Sequence, residues 1–328
     1  MGLDSVIARL AAAVIALTAC APAARRAPAP ASRGGMRLPV RYAADRFYVT
    51  PVSTNGDTLL LYTDTGGGAN MLYEAAAARL GVAPEWVPAN GDSLRLARLP
   101  AFTAPAVIPP PSDLPPFGER LMVVAPRDSG PDAGDGLLGR TWFAGRVWRF
   151  DYPGRALMLL GDAGPAGDPA HRASLGFQTD SAGRRTTHFP RIRVEVDGDS
   201  LDLLFDTGAT VNLTDAAQSA LGDGGPAARG TSFIARSVFD RWRERHPGWR
   251  VIEHADRTLD MPMIEVPRVS VGGYAVGPVW FTMRPDRNFH EFMSQWMDRR
   301  VEGALGGSAL RYLRATVDYP RATVAFER

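Results

Sequence analysis

Two aspartates occupy the same position in two similar stretches of sequence. Leu59-Leu60-Leu61-Tyr62-Thr63 runs into Asp64-Thr65-Gly66, and Leu201-Asp202-Leu203-Leu204-Phe205 runs into Asp206-Thr207-Gly208. A single Asp-Thr-Gly is a common turn sequence and carries little weight. Two copies, each closing an apolar run, have a chemistry open to them. Carboxyls held about 3 Å apart cannot both ionise, so one keeps a proton while the other is charged. The charged member can take a proton from a water, and the protonated member can stabilise a developing oxyanion. Such a pair titrates as a unit, which leaves Asp64 and Asp206 without separate roles.

The elements that must position these residues are also present twice. Asn55-Gly56-Asp57 and Asp197-Gly198-Asp199 are hairpin turn signals. Before them, Arg46-Phe47-Tyr48-Val49-Thr50 and Arg191-Ile192-Arg193-Val194-Glu195-Val196 read as strands. Downstream, Asn70 and Asn212 fall at one offset from their aspartates, and short helices end at Leu80-Gly81 and Leu221-Gly222. Asp135-Gly136-Leu137-Leu138-Gly139 matches Glu302-Gly303-Ala304-Leu305-Gly306, and each is followed by Asp-Tyr-Pro, at Asp151-Tyr152-Pro153 and Asp318-Tyr319-Pro320. The pattern is that of an internal duplication.

Taken together, these motifs resemble the aspartic peptidases, both the two-lobed pepsin-like enzymes and the single-lobed retropepsins that dimerise. The resemblance spans roughly residues 39–328, and the short lobes without cysteine look like two fused retropepsin units. It implies a mostly β, bilobal pepsin-like acid protease fold with pseudo-two-fold symmetry. It also implies an aspartic endopeptidase in which Asp64 and Asp206 activate a water. Thr65 and Thr207 would bind the opposite turn's backbone, and Gly66 and Gly208 would permit the tight turns. Leu138-Gly139 and Leu305-Gly306 would pack beside the carboxyls. Where pepsin-like enzymes carry Ser or Thr after Asp-Thr-Gly, this chain has Gly67 and Ala209. Losing that hydroxyl weakens the preference for the charged form and points to activity at mildly acidic pH. The alternative is a catalytically inactive peptide-binding envelope lipoprotein on the same fold.

The N-terminus carries an address. Arg9 precedes a short apolar core from Leu10 to Leu17, and Leu17-Thr18-Ala19-Cys20 matches a bacterial lipobox. The core is too short to span a bilayer. Residues 1–19 therefore read as a signal peptide, with Cys20, the only cysteine, as the lipid attachment point. Ala21 favours outer-membrane sorting, facing the periplasm. Residues 20–38, rich in Ala, Pro and Arg, read as a disordered tether. An N-terminal lobe (39–163), an inter-lobe linker (164–186) and a C-terminal lobe (187–328) complete the organisation.

Composition excludes several other chemistries. With 45% hydrophobic and 22% charged residues the chain is globular, and its net charge of +2 gives no support to nucleic-acid binding. It contains no lysine, which removes P-loop and Schiff-base chemistry. His290-Glu291 lacks a second histidine at helical spacing, and Gly306-Gly307-Ser308-Ala309-Leu310 misses the serine-hydrolase elbow. Asp64-Thr65-Gly66-Gly67-Gly68 superficially resembles a phosphate loop of the actin- and Hsp70-like ATPases, but the export signal and the repeated Asp-Tyr-Pro argue against that class. No cofactor or metal is expected. The partners are a peptide or protein substrate and, through Cys20, a membrane, with the molecule a monomer containing its own pseudo-dimer. Asn90-Gly91 is placed as the tip of a hairpin that could cover the cleft. The longer second lobe has helices near Ser237–Arg245 and His290–Arg299, with Trp242, Trp249 and Trp296 expected to pack rather than bind.

Overall fold

A computed structural model describes residues 35–89, 92–114, 117–125, 134–161 and 167–328. The signal peptide, Cys20, most of the tether and the Asn90-Gly91 tip lie outside the described residues. Among the described residues no helix is long and apolar enough to cross a membrane.

The duplication becomes two β-lobes that share the order of seven strands and differ at one edge. In the first lobe the order is Glu85–Ala89, Asp92–Arg98, Arg120–Val124, Met71–Tyr73, Gly136–Leu138, Leu61–Thr63, Arg46–Val49 and Val40–Ala43. In the second it is Val251–Asp256, Met261–Val266, Val279–Arg284, Ser232–Ala235, Gly303–Leu305, Asp199–Phe205 and Arg191–Val196, then the Val269–Val271 and Tyr274–Val276 hairpin. The directions agree as well. Leu61–Thr63 runs parallel to Gly136–Leu138, and Asp199–Phe205 runs parallel to Gly303–Leu305. The chain is mostly β and bilobal, as the duplication implies.

The two turn signals form their hairpins by different routes. Asp197 and Gly198 both have positive φ (49° and 84°) and close a two-residue turn between Arg191–Val196 and Asp199–Phe205. At Gly56 only the glycine is left-handed (φ 92°). Its N–H bonds Ser53 O, and Ser53 N–H bonds Asp57 O, which is a longer turn ending in a bulge glycine.

A third sheet, six-stranded, joins the lobes. Its order is Met36–Arg37, Ala156–Leu160, Val147–Asp151, Arg314–Asp318, Thr323–Glu327 and Arg172–Ser174. The order is palindromic under the duplication, because Asp151-Tyr152-Pro153 matches Asp318-Tyr319-Pro320. Val147–Asp151 pairs antiparallel with its own copy, Arg314–Asp318, and the pseudo-two-fold axis passes through the Arg149–Thr316 pair. Two expected boundaries are corrected here. Residues 36–38 do not belong to a tether: Met36 pairs with Leu159, Arg37 with Met158, and Leu38 is 3% exposed. Residues 172–174, placed in the linker, form a strand on Thr323–Glu327. The two short strands are symmetric counterparts on the two edges of this sheet.

A further correction concerns the inserted material. Ser232–Ala235 occupies in the second lobe the place of Met71–Tyr73 in the first, since each pairs antiparallel with its Gly-containing strand. The Glu74–Arg79 helix therefore corresponds to Arg236–Arg245, and the Asp215–Leu221 helix has no counterpart. Residues 210–230 are an insertion, two strands (Thr210–Asn212 and Ala228–Gly230) with that helix between them. The helix expected at 290–299 is a π-helical turn, Asn288–Met293, followed by a 3-10 turn, Ser294–Trp296.

The core is aromatic where the lobes meet. Trp142, Phe143, Trp148, Phe150, Tyr152 and Tyr319 are fully buried. Phe150 meets Phe47 and Phe205 edge-on, with ring centres 6.2 and 6.4 Å apart. Phe205 precedes Asp206 directly, so the inter-lobe core seats the turn that carries a carboxyl. Trp242, Trp249 and Trp296 pack against core clusters.

Leu38 tests the revised boundary. Burying a leucine stabilises by about 1.5–3 kcal/mol. A chain truncated to begin at residue 39 also loses the Leu38 N–H bond to Leu157 O at 2.9 Å. It is expected to melt several degrees below one beginning at residue 35, at roughly 2–4 °C per kcal/mol. Equal melting temperatures in a thermal denaturation would show that the edge strand is dispensable.

Candidate functional site

Each aspartate sits at the end of a strand whose turn is pinned by the neighbouring Gly-containing strand. Asp64 N–H donates to Leu138 O and Asp206 N–H donates to Leu305 O, both at 2.9 Å. Both leucines are fully buried. The carboxyls are held from within their own turns. Gly66 N–H donates to Asp64 Oδ1 at 2.8 Å and Gly208 N–H to Asp206 Oδ1 at 2.9 Å. The amides of Gly67 and Ala209 also favour the charged forms.

The threonines cross between lobes. Thr65 Oγ1 donates to Phe205 O at 2.6 Å and accepts from Thr207 N–H at 3.0 Å. Thr207 Oγ1 accepts from Thr65 N–H at 3.2 Å. All of these groups are buried, where each bond made replaces a costly orphan.

The glycines are required by close approach rather than by dihedral angle. A Cβ on Gly66 would lie 2.6 Å from Asp206 Cγ, and one on Gly208 would overlap Asp64 Cγ. Each turn therefore leaves room for the opposite carboxyl. Gly139 and Gly306 are equally confined, the first by Ala69 O and Gly67 O, the second by Thr231 O and the Ala209 methyl.

The result is a carboxyl pair in mutual hydrogen-bond contact. Asp206 is 9% exposed, and Asp64 is half-buried. Burial pushes both above the usual carboxylate range, and for Asp206 the charge of Asp64 and the bond between them push further. Both carboxyls therefore hold a proton to higher pH than isolated aspartates do.

Above it opens a cavity of about 360 Å³, lined by Arg46, Tyr48, Tyr62, Tyr73, Thr210 and Phe233 besides the pair and its turn. Tyr62 donates to Gly208 O at 2.8 Å and lies 2.8 Å from Thr210 Oγ1, tying the first lobe to the insertion of the second. Trp242, Trp249 and Trp296 do not line it, and no described residue of the Glu85–Arg98 hairpin does. A larger hollow of about 460 Å³, around Asp199, Arg241, Arg300 and Glu302, holds neither Asp64 nor Asp206 and is walled by ion-paired surface groups. The cavity over the paired carboxyls is the candidate site. Among the described residues no His, Cys, Asp and Glu cluster suits a metal ion.

One equivalence read from sequence fails. Asn70 accepts from Gly139 N–H and donates to Thr141 Oγ1, both at 2.8 Å. Its counterpart is not Asn212, which is exposed on the inserted strand. It is Ser232, whose Oγ accepts from Gly306 N–H at 3.0 Å and lies 3.0 Å from Ser308 Oγ. The cavity residues Arg46, Tyr48, Tyr62, Tyr73 and Phe233 had no signal in the motifs. Only their nearness to the strand ends could have suggested them.

No protein-family model matches the chain, and no curated protein matches it. Among solved structures it is similar to the aspartic proteinase from Irpex lacteus. That likeness has 11% identity and a TM-score of 0.47, and it covers 89% of this chain and 97% of that one.

Two outcomes follow from this geometry. Thr65→Val strands two buried partners and is expected to cost about 2–5 kcal/mol, while Thr207→Val strands one and costs about 1–3. Chemical denaturation of the two variants would reveal the order, and a reversed order would contradict the crossing pattern. Raised carboxyl pKa values also set the sign of the pH dependence. The folded chain keeps a proton that the unfolded chain releases above about pH 4. Stability contributed by the pair is therefore complete below that pH and lost as pH rises through the raised value. Asp206→Asn should melt above the unsubstituted protein at pH 7, with the gap closing near pH 4. A gap that widens toward acid would reverse the assignment.

Proposed function

We propose that the chain is an aspartic endopeptidase in which Asp64 and Asp206 hydrolyse a peptide bond through one activated water. The observation that carries this reading is the facing pair. One carboxyl from each lobe meets the other across a pseudo-two-fold axis, under an open cavity, with burial raising the pKa of both. The repeated Asp-Thr-Gly, the crossed threonines and the space left by Gly66 and Gly208 all support it.

In this reading a water lies between the carboxyls. The charged carboxyl takes one water proton while the oxygen attacks the carbonyl carbon, and the other carboxyl gives its proton to the carbonyl oxygen. The resulting gem-diol collapses as the leaving nitrogen gains a proton and the C–N bond breaks, and the pair returns to its one-proton state. No covalent intermediate forms in this reading, and among the described residues neither a serine nor a cysteine lines the cavity. Aromatic walls keep the local dielectric low, which strengthens each of these interactions.

Cleavage of a mixed peptide library by the full-length chain, read by mass spectrometry across pH, tests the reading. Asp64→Asn and Asp206→Asn should each lower cleavage by at least about 10²–10⁴-fold, the usual contribution of a positioned acid or base. Activity should peak in mild acid and fall below about pH 3, where an unperturbed aspartate is mostly protonated. Cuts that persist in both variants would sink the proposal, as would a folded preparation that cuts nothing at any pH.

A further inference from the structure

One charged side chain in the cleft plays no part in the carboxyl pair. Arg46 opens the Arg46–Val49 strand, is 5% exposed and lines the same cavity as Asp64 and Asp206. A buried guanidinium is normally paired with a carboxylate, because desolvating an unpaired charge is expensive. An arginine behind the cavity wall obeys that rule. Arg284, stacked behind Phe233 at 4.1 Å, is bridged to Asp256 at 2.8 Å.

Arg46 does not obey it. Its Nη2 donates to Ala228 O at 2.8 Å, its guanidinium lies 5.6 Å from the centre of the Tyr48 ring, and its Nε is buried without a partner. Among the described residues no carboxylate bridges it. Neighbouring Asp45 is engaged elsewhere, accepting from Tyr42 Oη at 2.8 Å and facing Arg311 at 3.7 Å. Asp64 and Asp206 line the same cavity, and among the described residues neither forms an ion pair with it. The bond to Ala228, the only one the Arg46 guanidinium makes among the described residues, braces the two lobes but satisfies one of five N–H donors.

We propose that Arg46 is the specificity-determining cation of this cleft, and that the peptides it takes present a carboxylate to it. The carboxylate could belong to an aspartyl or glutamyl side chain or to a chain terminus, which share the same planar acceptor chemistry. The proposal rests on the cleft being a peptide site and adds the class of peptide.

Matched quenched peptides with the full-length chain distinguish these points. One pair differs as Glu against Gln with both ends blocked, and a second differs as C-terminal acid against amide. The carboxylate member of at least one pair should show kcat/KM about tenfold or more above its partner, as a charge-assisted bond would give. Whichever pair responds identifies the source. Arg46→Met should bring that ratio to within about twofold while cleavage of the neutral peptide continues, and Arg46→Lys should retain part of it. A brace between lobes would change stability but not the ratio.

Ratios near one for the unsubstituted protein would overturn the proposal, as would a ratio that survives in folded Arg46→Met. Should that variant fail to fold, the unsubstituted ratio and Arg46→Lys decide. If nothing is cut, anisotropy with the same peptides separates the two readings. A carboxylate preference in binding upholds Arg46 while hydrolysis falls, and equal or absent binding overturns the proposal.

Discussion

The structure depends on holding two like acids against one another. Asp64 and Asp206 would move apart if both ionised in place, and burial makes that repulsion strong. The chain meets this with contacts that cross the boundary between lobes. Each threonine bonds the other turn's backbone, and each glycine withholds the Cβ that would strike the opposite carboxyl. The acids therefore cannot separate unless the lobes do. The six-stranded sheet prevents that, because its central pair is the chain's own repeat matched to itself.

How far this could be read from the residues varied with the physics of each part. The Asp-Thr-Gly copies were legible because an apolar run ending in a carboxylate is locally anomalous, and the anomaly occurs twice. The Asp197-Gly198 hairpin was legible because two successive positive φ values need that dipeptide chemistry. Met36–Arg37 and Arg172–Ser174 were not. Strands this short have no periodicity, and they exist because an edge is open beside them. Reading Asn212 as the partner of Asn70 failed for another reason. A backbone N–H needs only an oxygen acceptor, and Ser232 supplies it as well as an amide does. Functional equivalence here follows the strand, while the matching letter fell by chance inside an insertion.

That insertion also shows what duplication within one chain permits. Residues 210–230 exist in one lobe only, yet they face the other. Gly230 N–H bonds Ala44 O, Arg46 reaches Ala228 O, and Tyr62 reaches Gly208 and Thr210. A symmetric dimer of single lobes would have to make every such contact twice. Fusion lets the second lobe grow a wall without doubling it.

The same freedom explains an unequal cleft over an equal pair. Strand pairing sets Tyr62 against Leu204 as counterparts, since each lies two residues before its aspartate. It likewise sets Tyr48 against Arg191 through the strands beside them. Two residues before each of these stand Arg46 and Phe189. The first lobe thus places a cation where the second places an aromatic ring, itself covered by Arg140 at 4.4 Å. Two acids in contact at the axis favour near-identity between lobes, because like turns place both carboxyls on equal terms. Away from the axis no such demand acts, so the two walls are free to differ, as Arg46 and Phe189 do. The repeated turn geometry and the divergent walls thus follow from different constraints, and the boundary between them lies close to the aspartates.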